Sequence, residues 1–257
     1  MPAIVKEPWE IDLMRDAGRI VAEGLELLMG LAKPGVSTGE LDRAFEELVC
    51  SRGAVPTFKG YRGFTASICA SINEEVVHGI PSFRRILKEG DILSVDCGAT
   101  YKGYVGDSAV TVPIGKVGER ADRLMRVTRE SLEAAIATIG PGVRLSRVCR
   151  SVQQYAEFRG YSVVKKYVGH GIGREMHEEP QVPNYVIDNY EFLLKPGIVL
   201  AVEPMLNEGT DDVRVLKDDW TVVTRDGKLS AHFEHTIAVT PTGREVLTRR
   251  RNEGVGF

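Results

Sequence analysis

A repeat at a spacing of 107 residues is the feature that most limits what this chain can fold into. Pro34-Gly35-Val36 recurs as Pro141-Gly142-Val143 (141 − 34), and the same offset relates Asp96 to Glu203. Two further pairs of segment ends keep it: Arg52-Gly53 with Arg159-Gly160, and Lys88-x-Gly90 with Lys195-x-Gly197. An offset that runs through helix, turn and strand patterns predicts two halves of similar structure.

Each half has the pattern of two helices followed by strands. Apolar residues recur at helical spacing from about Glu10 to Leu31, after which Ser37 and Glu40 form a capping box that begins a second helix. Short β-branched runs separated by Gly and Pro then predict strands and turns, and the order resumes after residue 118. We therefore predict an α+β fold in one catalytic domain, residues 1–257, with pseudo-symmetric halves at about 10–117 and 118–240.

Two acids lie in the strand-like runs of each half: Asp96 and Asp107 in the first, Glu203 and Glu234 in the second. Asp107 and Glu234 are 127 positions apart because the second half carries 20 extra residues. A single strand acid is usually solvated or caps a turn, so the prediction depends on the matched set. Around a pseudo-two-fold axis, four carboxylates would share the centre, where each pair at about 4 Å repels by about 4 kcal/mol at an effective dielectric constant of about 20.

Such a cluster is expected to take up either protons or cations. His170, flanked by glycines, adds one imidazole to the four acids. Oxygen ligands with a single imidazole favour divalent Mn, Fe, Co or Zn over a structural zinc site built from thiolates. The sequence therefore predicts two divalent cations per chain, which would lower the pKa of a shared water towards ~7.

Composition and charge exclude several other classes of protein. The net charge is −3, which argues against a DNA-binding protein, and no apolar run approaches the roughly 20 residues of a membrane span. The start carries acids and prolines, unlike a secretory signal, and the four cysteines form no CxxC pair. We expect a cytoplasmic monomer that binds neither DNA nor a membrane.

Five segments, in order and over nearly the whole chain, resemble the type I methionine aminopeptidases. They are SINEEVVHGIP, DILSVDCGATYKGYVGDSAVT, GHGIGREMHEEP, GIVLAVEPM and SAHFEHTIAVT. The resemblance implies the pita-bread fold, a curved, mainly antiparallel sheet with helices packed outside it. Glu203 and Glu234 are only 31 positions apart, which leaves no room for the type II insertion. We also expect no N-terminal extension domain of the kind found in aminopeptidase P and prolidase.

The resemblance implies a role for each matching polar residue. The implied metal ligands are Asp96, chelating one ion; His170 and Glu203, on the other ion; and Asp107 and Glu234, bridging both. Glu203 is also implied to accept a proton from the attacking water. His78 and His177 resemble two histidines that contact the substrate amide and its developing oxyanion, which would make them both catalytic and substrate-binding.

A pocket for the methionine side chain is implied in the same way. The positions that resemble its lining are Tyr61, Phe64, Cys69, Met176 and Trp220, each of which could alternatively be an ordinary core residue. Family members often have Tyr near residue 64, Phe near residue 176 and Gln or a similar residue at position 232. Strand alternation predicts that His232 lies on the same face as Glu234. Asn73 and Ser230 resemble a monovalent-cation site.

The function implied by the resemblance is removal of the initiator methionine from nascent proteins whose second residue is small. Metal-activated hydroxide would attack the first peptide bond. Two alternatives stay open: a hydrolase of the X-Pro aminopeptidase or prolidase type, and a non-catalytic binding module of the same fold. The basic tail, Arg249–Arg251, is expected to be a solvated end, with ribosome contact through ribosomal RNA as the alternative.

Overall fold

A computed structural model of the chain describes residues 3–188, 190–251 and 253. Four α-helices occur in these ranges: α1 (Pro8–Leu31), α2 (Thr38–Ser51), α3 (Glu119–Thr138) and α4 (Leu145–Glu157). Helix α1 begins two residues before the predicted Glu10, because proline at the first helical position loses no hydrogen bond. None of these helices combines the length and the apolar character that crossing a membrane requires.

The predicted capping box at the start of α2 is confirmed. Ser37 Oγ accepts a hydrogen bond from the backbone N–H of Glu40 at 3.2 Å, and Glu40 Oε2 accepts one from the backbone N–H of Ser37 at 2.7 Å. These two bonds satisfy amide groups that have no partner within the helix. The start of α2 is therefore fixed by residues that are adjacent in the sequence.

The described ranges contain fifteen strands, all paired antiparallel. They are β1 (Val55–Pro56), β2 (Ile68–Ile72), β3 (Glu75–Val77), β4 (Ile92–Tyr101), β5 (Tyr104–Pro113), β6 (Ser162–Val163), β7 (Gly169–Gly171), β8 (Glu178–Val182), β9 (Val199–Val202), β10 (Met205–Asn207), β11 (Val213–Val215), β12 (Val222–Thr224), β13 (Ser230–His232), β14 (His235–Thr240) and β15 (Gly243–Val246). A single 3₁₀ turn, Tyr61–Gly63, lies between β1 and β2.

The strands form four hydrogen-bonded sheets. β2, β4 and β1 lie side by side with β5 paired to β4, and β15-β14-β9-β7-β8 form the largest sheet. Two three-stranded sheets, β13-β10-β6 and β11-β12-β3, complete the set. The predicted antiparallel pairing is confirmed, and one register shift, between Val222 and Val223, interrupts the pair formed by β12 and β3.

Equivalent hydrogen bonds recur at the predicted offset of 107 residues. The N–H of Gly35 donates to the carbonyl of Leu87 at 2.9 Å, and the N–H of Gly142 donates to the carbonyl of Leu194 at 2.8 Å. The isolated bridges Ser37↔Ile86 and Arg144↔Leu193 keep the same spacing. The fold is therefore built from two pseudo-symmetric halves, as predicted.

One large apolar core joins the two halves. Its members include Val21 and Phe45 from the first helix pair, Leu124 and Val148 from the second, and Val95 from the sheet, all buried. Helix α1 packs against β5 at a backbone approach so close that a Cβ on Gly106 would lie 2.8 Å from the nitrogen of Gly18. The core therefore holds the strands that carry the acids rigidly against the helices.

Candidate active site

The four predicted acids come from strands of both halves: Asp96 and Asp107 lie within β4 and β5, and Glu203 and Glu234 lie next to the ends of β9 and β14. Asp96 faces Ala109 across the β4–β5 pair, and Asp107 faces Gly98 two residue pairs along the same ladder. Glu203 follows the last residue of β9, and Glu234 immediately precedes β14, which is the antiparallel neighbour of β9. The order of elements in each half thus delivers two carboxylates to one place.

Hydrogen bonds between the halves fix the two acids that were predicted to bridge. Thr236 Oγ1 donates to the carbonyl of Asp107 at 2.8 Å and accepts from its N–H at 3.0 Å. Ser108 Oγ donates to the carbonyl of Glu234 at 2.6 Å, and the N–H of Glu234 donates to the carbonyl of Ala109 at 3.0 Å. The backbones of Asp107 and Glu234 are therefore locked to each other.

His170 completes the cluster from β7. It pairs with Ala201 of β9, and its Nε2 lies 3.6 Å from Glu203 Oε1. Potential ligand atoms of Asp107, His170 and Glu234 all lie within 4.8 Å of one another. All five predicted ligands line a single pocket. The structure brings the whole set together, and their role as ligands stays a prediction.

Burial shifts the pKa of each group in this cluster against its charged form. It raises the pKa of Asp96, Glu203 and Glu234 well above their usual range, with further increases from neighbouring carboxylates. It raises the pKa of Asp107 to about 7 and lowers that of His170 to about 3. Without a cation, the four carboxyl groups cannot all be ionised at low cost. Bound cations would offset their negative charge and allow all four to ionise.

The ligand set fits divalent cations on a second observation. Within the described ranges, the buried oxygens Asp96 Oδ1, Asp107 Oδ1 and Glu234 Oε1 have no hydrogen-bond partner. A buried polar atom without a partner is costly, and the three atoms belong to residues of one cluster. Carboxylate oxygens with one imidazole nitrogen are ligands that divalent transition metals accept.

Two further histidines stand beside the acid cluster. His177 Nδ1 lies 2.8 Å from the Tyr61 hydroxyl, and the His177 ring centroid is 4.2 Å from that of His170. His78 adopts a positive φ of 60°, and its ring meets the rings of Tyr167 and Trp220 edge to face. Burial, followed by the charge of His177, lowers the pKa of His78 to about 4, so its imidazole is neutral at pH 7.

An apolar slot opens onto the same pocket. Phe64 and Cys69 are buried, and Met176 and Trp220 pack against them. The rings of Phe64 and Trp220 meet edge to face with centroids 5.0 Å apart. The predicted lining residues therefore converge, and Phe58, Arg62 and Tyr167, which sequence reasoning missed, join them. Local pattern gave no signal for those three.

His232 is a buried histidine beside the carboxylate cluster. Its Nε2 is 3.7 Å from Glu203 Oε2 and, among the described residues, has no hydrogen-bond partner. Burial, with the charge of His78 second, lowers the pKa of His232 to about 3. The side chain therefore reaches the carboxylate cluster, although it is absent from the lining of the pocket.

The pair predicted to resemble a monovalent-cation site lies together. The N–H of Ser230 donates to the carbonyl of Asn73 at 2.9 Å, while Asn73 Nδ2 donates to Asp91 Oδ1 at 2.8 Å. Ser230 Oγ donates to the carbonyl of Leu206 at 3.3 Å. The two residues are neighbours in space, and cation binding there stays a prediction.

The prediction of a solvated basic tail is wrong for Arg250. Its side chain is only 7% exposed and pairs with Glu253, whose carboxylate also accepts from His235 Nε2 at 2.8 Å. Arg249 pairs with Glu133 on α3 at 3.1 Å. The tail folds back because a buried guanidinium needs a partner, which the basic run of letters does not reveal.

Comparison with known proteins decides the family. The model of metallopeptidase family M24 matches residues 12–241. The chain belongs to metallopeptidase family M24. Methionine aminopeptidase 1 of Bacillus subtilis is 53% identical to this M24 chain over 246 residues, covering 96% of this chain and 99% of the relative.

Solved structures place this M24 chain near one branch of the fold. The crystal structure of methionine aminopeptidase from Thermotoga maritima superposes with a TM-score of 0.95 at 46% identity, covering 97% of this chain and all of that one. Prolidase from Pyrococcus furiosus has a TM-score of 0.76 at 23% identity and is matched over 66% of its length, which shows the shared fold alone. The pita-bread fold expected from the sequence is confirmed.

Proposed function

We propose that this chain is a methionine aminopeptidase, which removes the N-terminal methionine from polypeptides whose second residue is small. One observation carries the proposal: the slot formed by Phe64, Cys69, Met176 and Trp220 shares one pocket with the carboxylate cluster. A thioether side chain seated in that apolar slot would bring the following peptide bond towards the acids. The relatives named above favour this activity over cleavage of X-Pro bonds.

Two divalent cations are proposed to occupy the carboxylate cluster. Asp96 would chelate one of them, His170 and Glu203 would bind the other, and Asp107 and Glu234 would bridge the two. The unpartnered carboxylate oxygens and the mutual proximity of Asp107, His170 and Glu234 support this assignment. When bound, such ions polarise a carbonyl group and lower the pKa of water, which supplies a nucleophile near neutral pH.

The chain's own groups would move the proton and stabilise developing charge. Glu203, which reaches the cluster from the end of β9, would accept the proton of the attacking water. In the proposed arrangement the Tyr61 hydroxyl donates to His177 Nδ1, so that the Nε2–H of His177 is free to donate to the substrate. His78, neutral because burial lowers its pKa to about 4, would donate similarly.

Selectivity for methionine would follow from the chemistry of the slot. Phe64 and Trp220 offer two aromatic rings at 5.0 Å, and Met176 and Cys69 add polarizable sulfur. A flexible thioether packs well among such groups, whereas a charged side chain would lose its hydration without finding a partner. A β-branched residue would fill the same slot less completely.

Several finer points belong to the same proposal. The enzyme is proposed to act on nascent polypeptides in the cytoplasm. It is also proposed to be a monomer, because one chain supplies every group of the proposed site. A monovalent cation is proposed beside Asn73 and Ser230 because their backbones meet there. Ribosome contact through the basic tail gains no support, because Arg249 and Arg250 are already paired with acids.

The test is methionine release from the peptide Met-Ala-Ser by protein that has been stripped with a chelator and reloaded with one divalent metal at a time. We expect release only after reloading, and none from Ala-Pro-Ala. Asp107→Asn is the matched control, which should bind less metal and release no methionine. Cleavage of Ala-Pro-Ala alone would favour the X-Pro activity. Metal binding absent by calorimetry, with no release, would favour a non-catalytic module.

A further inference from the structure

A buried ion pair joins Lys6, near the start of the chain, to Glu178, the residue that follows His177. Lys6 Nζ donates to Glu178 Oε2, and both side chains are only 3% exposed. Lys6 Nζ also donates to the carbonyl of Ile4 at 3.1 Å. Burying two charges is costly in desolvation, and removing one partner leaves the other uncompensated. Breaking this buried ion pair is therefore expected to change the structure around it.

The other oxygen of Glu178 organises the loop that precedes it. Glu178 Oε1 accepts from the backbone N–H of Arg174 at 3.0 Å and of Glu175 at 3.3 Å. At the loop's first residue, the carbonyl of Gly173 accepts from the N–H of Val105 at 2.8 Å. One carboxylate therefore ties together the segment 173–178, which comprises most of the connection between β7 and β8 and the first residue of β8.

The Lys6 side chain packs against this segment. A Cβ on Gly173 would lie only 2.4 Å from Lys6 Cε, so the lysine stem is packed directly against the loop backbone. The backbone N–H of Lys6 donates to the carbonyl of Gly197 at 2.8 Å, two residues before β9 begins. The lysine is thus anchored to the sheet that carries Glu203 while its side chain supports the loop.

His177 stands next to Glu178 at the end of the same loop. No residue separates the pairing carboxylate from the imidazole that lies 4.2 Å from the His170 ring and 2.8 Å from the Tyr61 hydroxyl. A shift of the loop would therefore move the imidazole relative to the acid cluster. Neither Lys6 nor Glu178 lines the pocket itself.

We propose that Lys6 is a positioning residue which, through its ion pair with Glu178, holds the 173–178 loop so that His177 faces the carboxylate cluster. The inference rests on the proposed function, because it assigns the pair to placing a substrate-contacting histidine. Without Lys6, the Glu178 carboxylate would turn towards water and release the amides of Arg174 and Glu175. His177 would then lose its fixed distance from His170.

The experiment compares Lys6→Met, Glu178→Gln and the double variant. Each single variant should lower kcat for Met-Ala-Ser by about 10-fold to 100-fold, the loss expected when a reacting group is misplaced by about 1 Å. KM and the metal Kd should change by less than about threefold, since no group that binds methionine or metal is altered. Hydrogen–deuterium exchange at the amides of Arg174 and Glu175 should rise in both.

The double variant separates a positioning role from simple loss of stability. Glutamine keeps an oxygen that accepts from the two loop amides, and methionine keeps the packed stem without a charge to compensate. Lys6→Met/Glu178→Gln should therefore restore the slow exchange and return kcat to within about fivefold of wild type, a non-additivity typical of contacting pairs. The matched control is Arg15→Met with Glu245→Gln, an ion pair 2.6 Å long between α1 and β15, which should leave kcat unchanged.

Three results would overturn the proposal. In the first, the amides of Arg174 and Glu175 exchange hydrogen in Lys6→Met at the wild-type rate. In the second, their exchange becomes faster but kcat, measured well below the unfolding temperature, stays at the wild-type value. In the third, kcat falls as much in the double variant as in the single variants. The proposal predicts otherwise, because the neutral Met–Gln pair should still hold the loop. The exchange measurement needs no substrate, so it remains decisive even if the wild-type chain released no methionine.

Discussion

Removing divalent cations is expected to make the stability of this protein decrease as the pH rises from about 4 to about 7. The cause is the buried carboxylate cluster, in which Asp107 gives the clearest case. Its pKa is about 7 in the folded chain, chiefly because of burial, against an ordinary value of 3.8. Between these two values the folded state retains a proton that the unfolded state has released.

The sign and size of the effect follow from linkage. Since the folded state binds more protons in this window, the free energy of unfolding decreases with rising pH. The destabilisation caused by Asp107 is absent below about pH 4, where its carboxyl group is protonated in both states. It reaches its full size above about pH 7, where the group is ionised in both states. A difference of about three pKa units corresponds to about 4 kcal/mol from Asp107, as an upper value. The pKa values of Asp96, Glu203 and Glu234 are raised in the same direction and steepen the slope.

Urea unfolding of chelator-treated protein at several pH values between 4 and 8 measures the slope. Asp107→Asn should flatten it by removing one ionising group, whereas Asp188→Asn, a change at an exposed acid, should not. Adding a divalent cation at about 100 times its Kd should raise stability at pH 7 by about 2.7 kcal/mol. Metal-free stability that stays constant or increases between pH 4 and 7 would refute the electrostatic account of the cluster.

Two further outcomes are expected. Gly24→Ala should destabilise the protein by about 1–3 kcal/mol, because a Cβ there would lie 2.5 Å from the Phe45 ring. Gly30→Ala, in the same helix but with open space around it, should stabilise the protein by about 0.5–1 kcal/mol. Thermal unfolding distinguishes the two variants, and equal effects would contradict the packing argument. Trp220→Ala should raise KM for Met-Ala-Ser about 10-fold with the metal Kd unchanged, because it removes one wall of the slot beside Phe64 and its area of apolar contact; steady-state kinetics measure this, and an unchanged KM would remove Trp220 from the pocket.

Features encoded by local pattern were predictable from the sequence. The capping box at Ser37 and Glu40 needs only four consecutive residues, and the structure contains both of its hydrogen bonds. The repeat allowed a longer-range prediction, because the same order of elements in both halves places Asp96 and Glu203 at equivalent positions, 107 residues apart. Convergence of the four acids therefore followed from symmetry rather than from any single motif.

Features that depend on contacts between distant segments were not predictable in this way. The pair Lys6–Glu178 spans 172 positions, and neither residue stands in a pattern that marks it as buried. Tyr167 lies beside His78 only because the fold brings together two segments that are distant in the sequence. The prediction for the tail was wrong at Arg250 for the same reason. Three consecutive arginines indicate a solvated end, and only the folded chain shows that Glu253 is the partner of Arg250.

The central claim is that one pocket combines a metal-binding carboxylate cluster with a slot for methionine. Its most direct test is methionine release from Met-Ala-Ser, measured on the same samples in which bound metal is counted, as occupancy is raised from zero. The account predicts that release increases in step with bound metal and disappears in Asp107→Asn. Release at full rate from protein without metal, or fully loaded protein that releases no methionine, would contradict it.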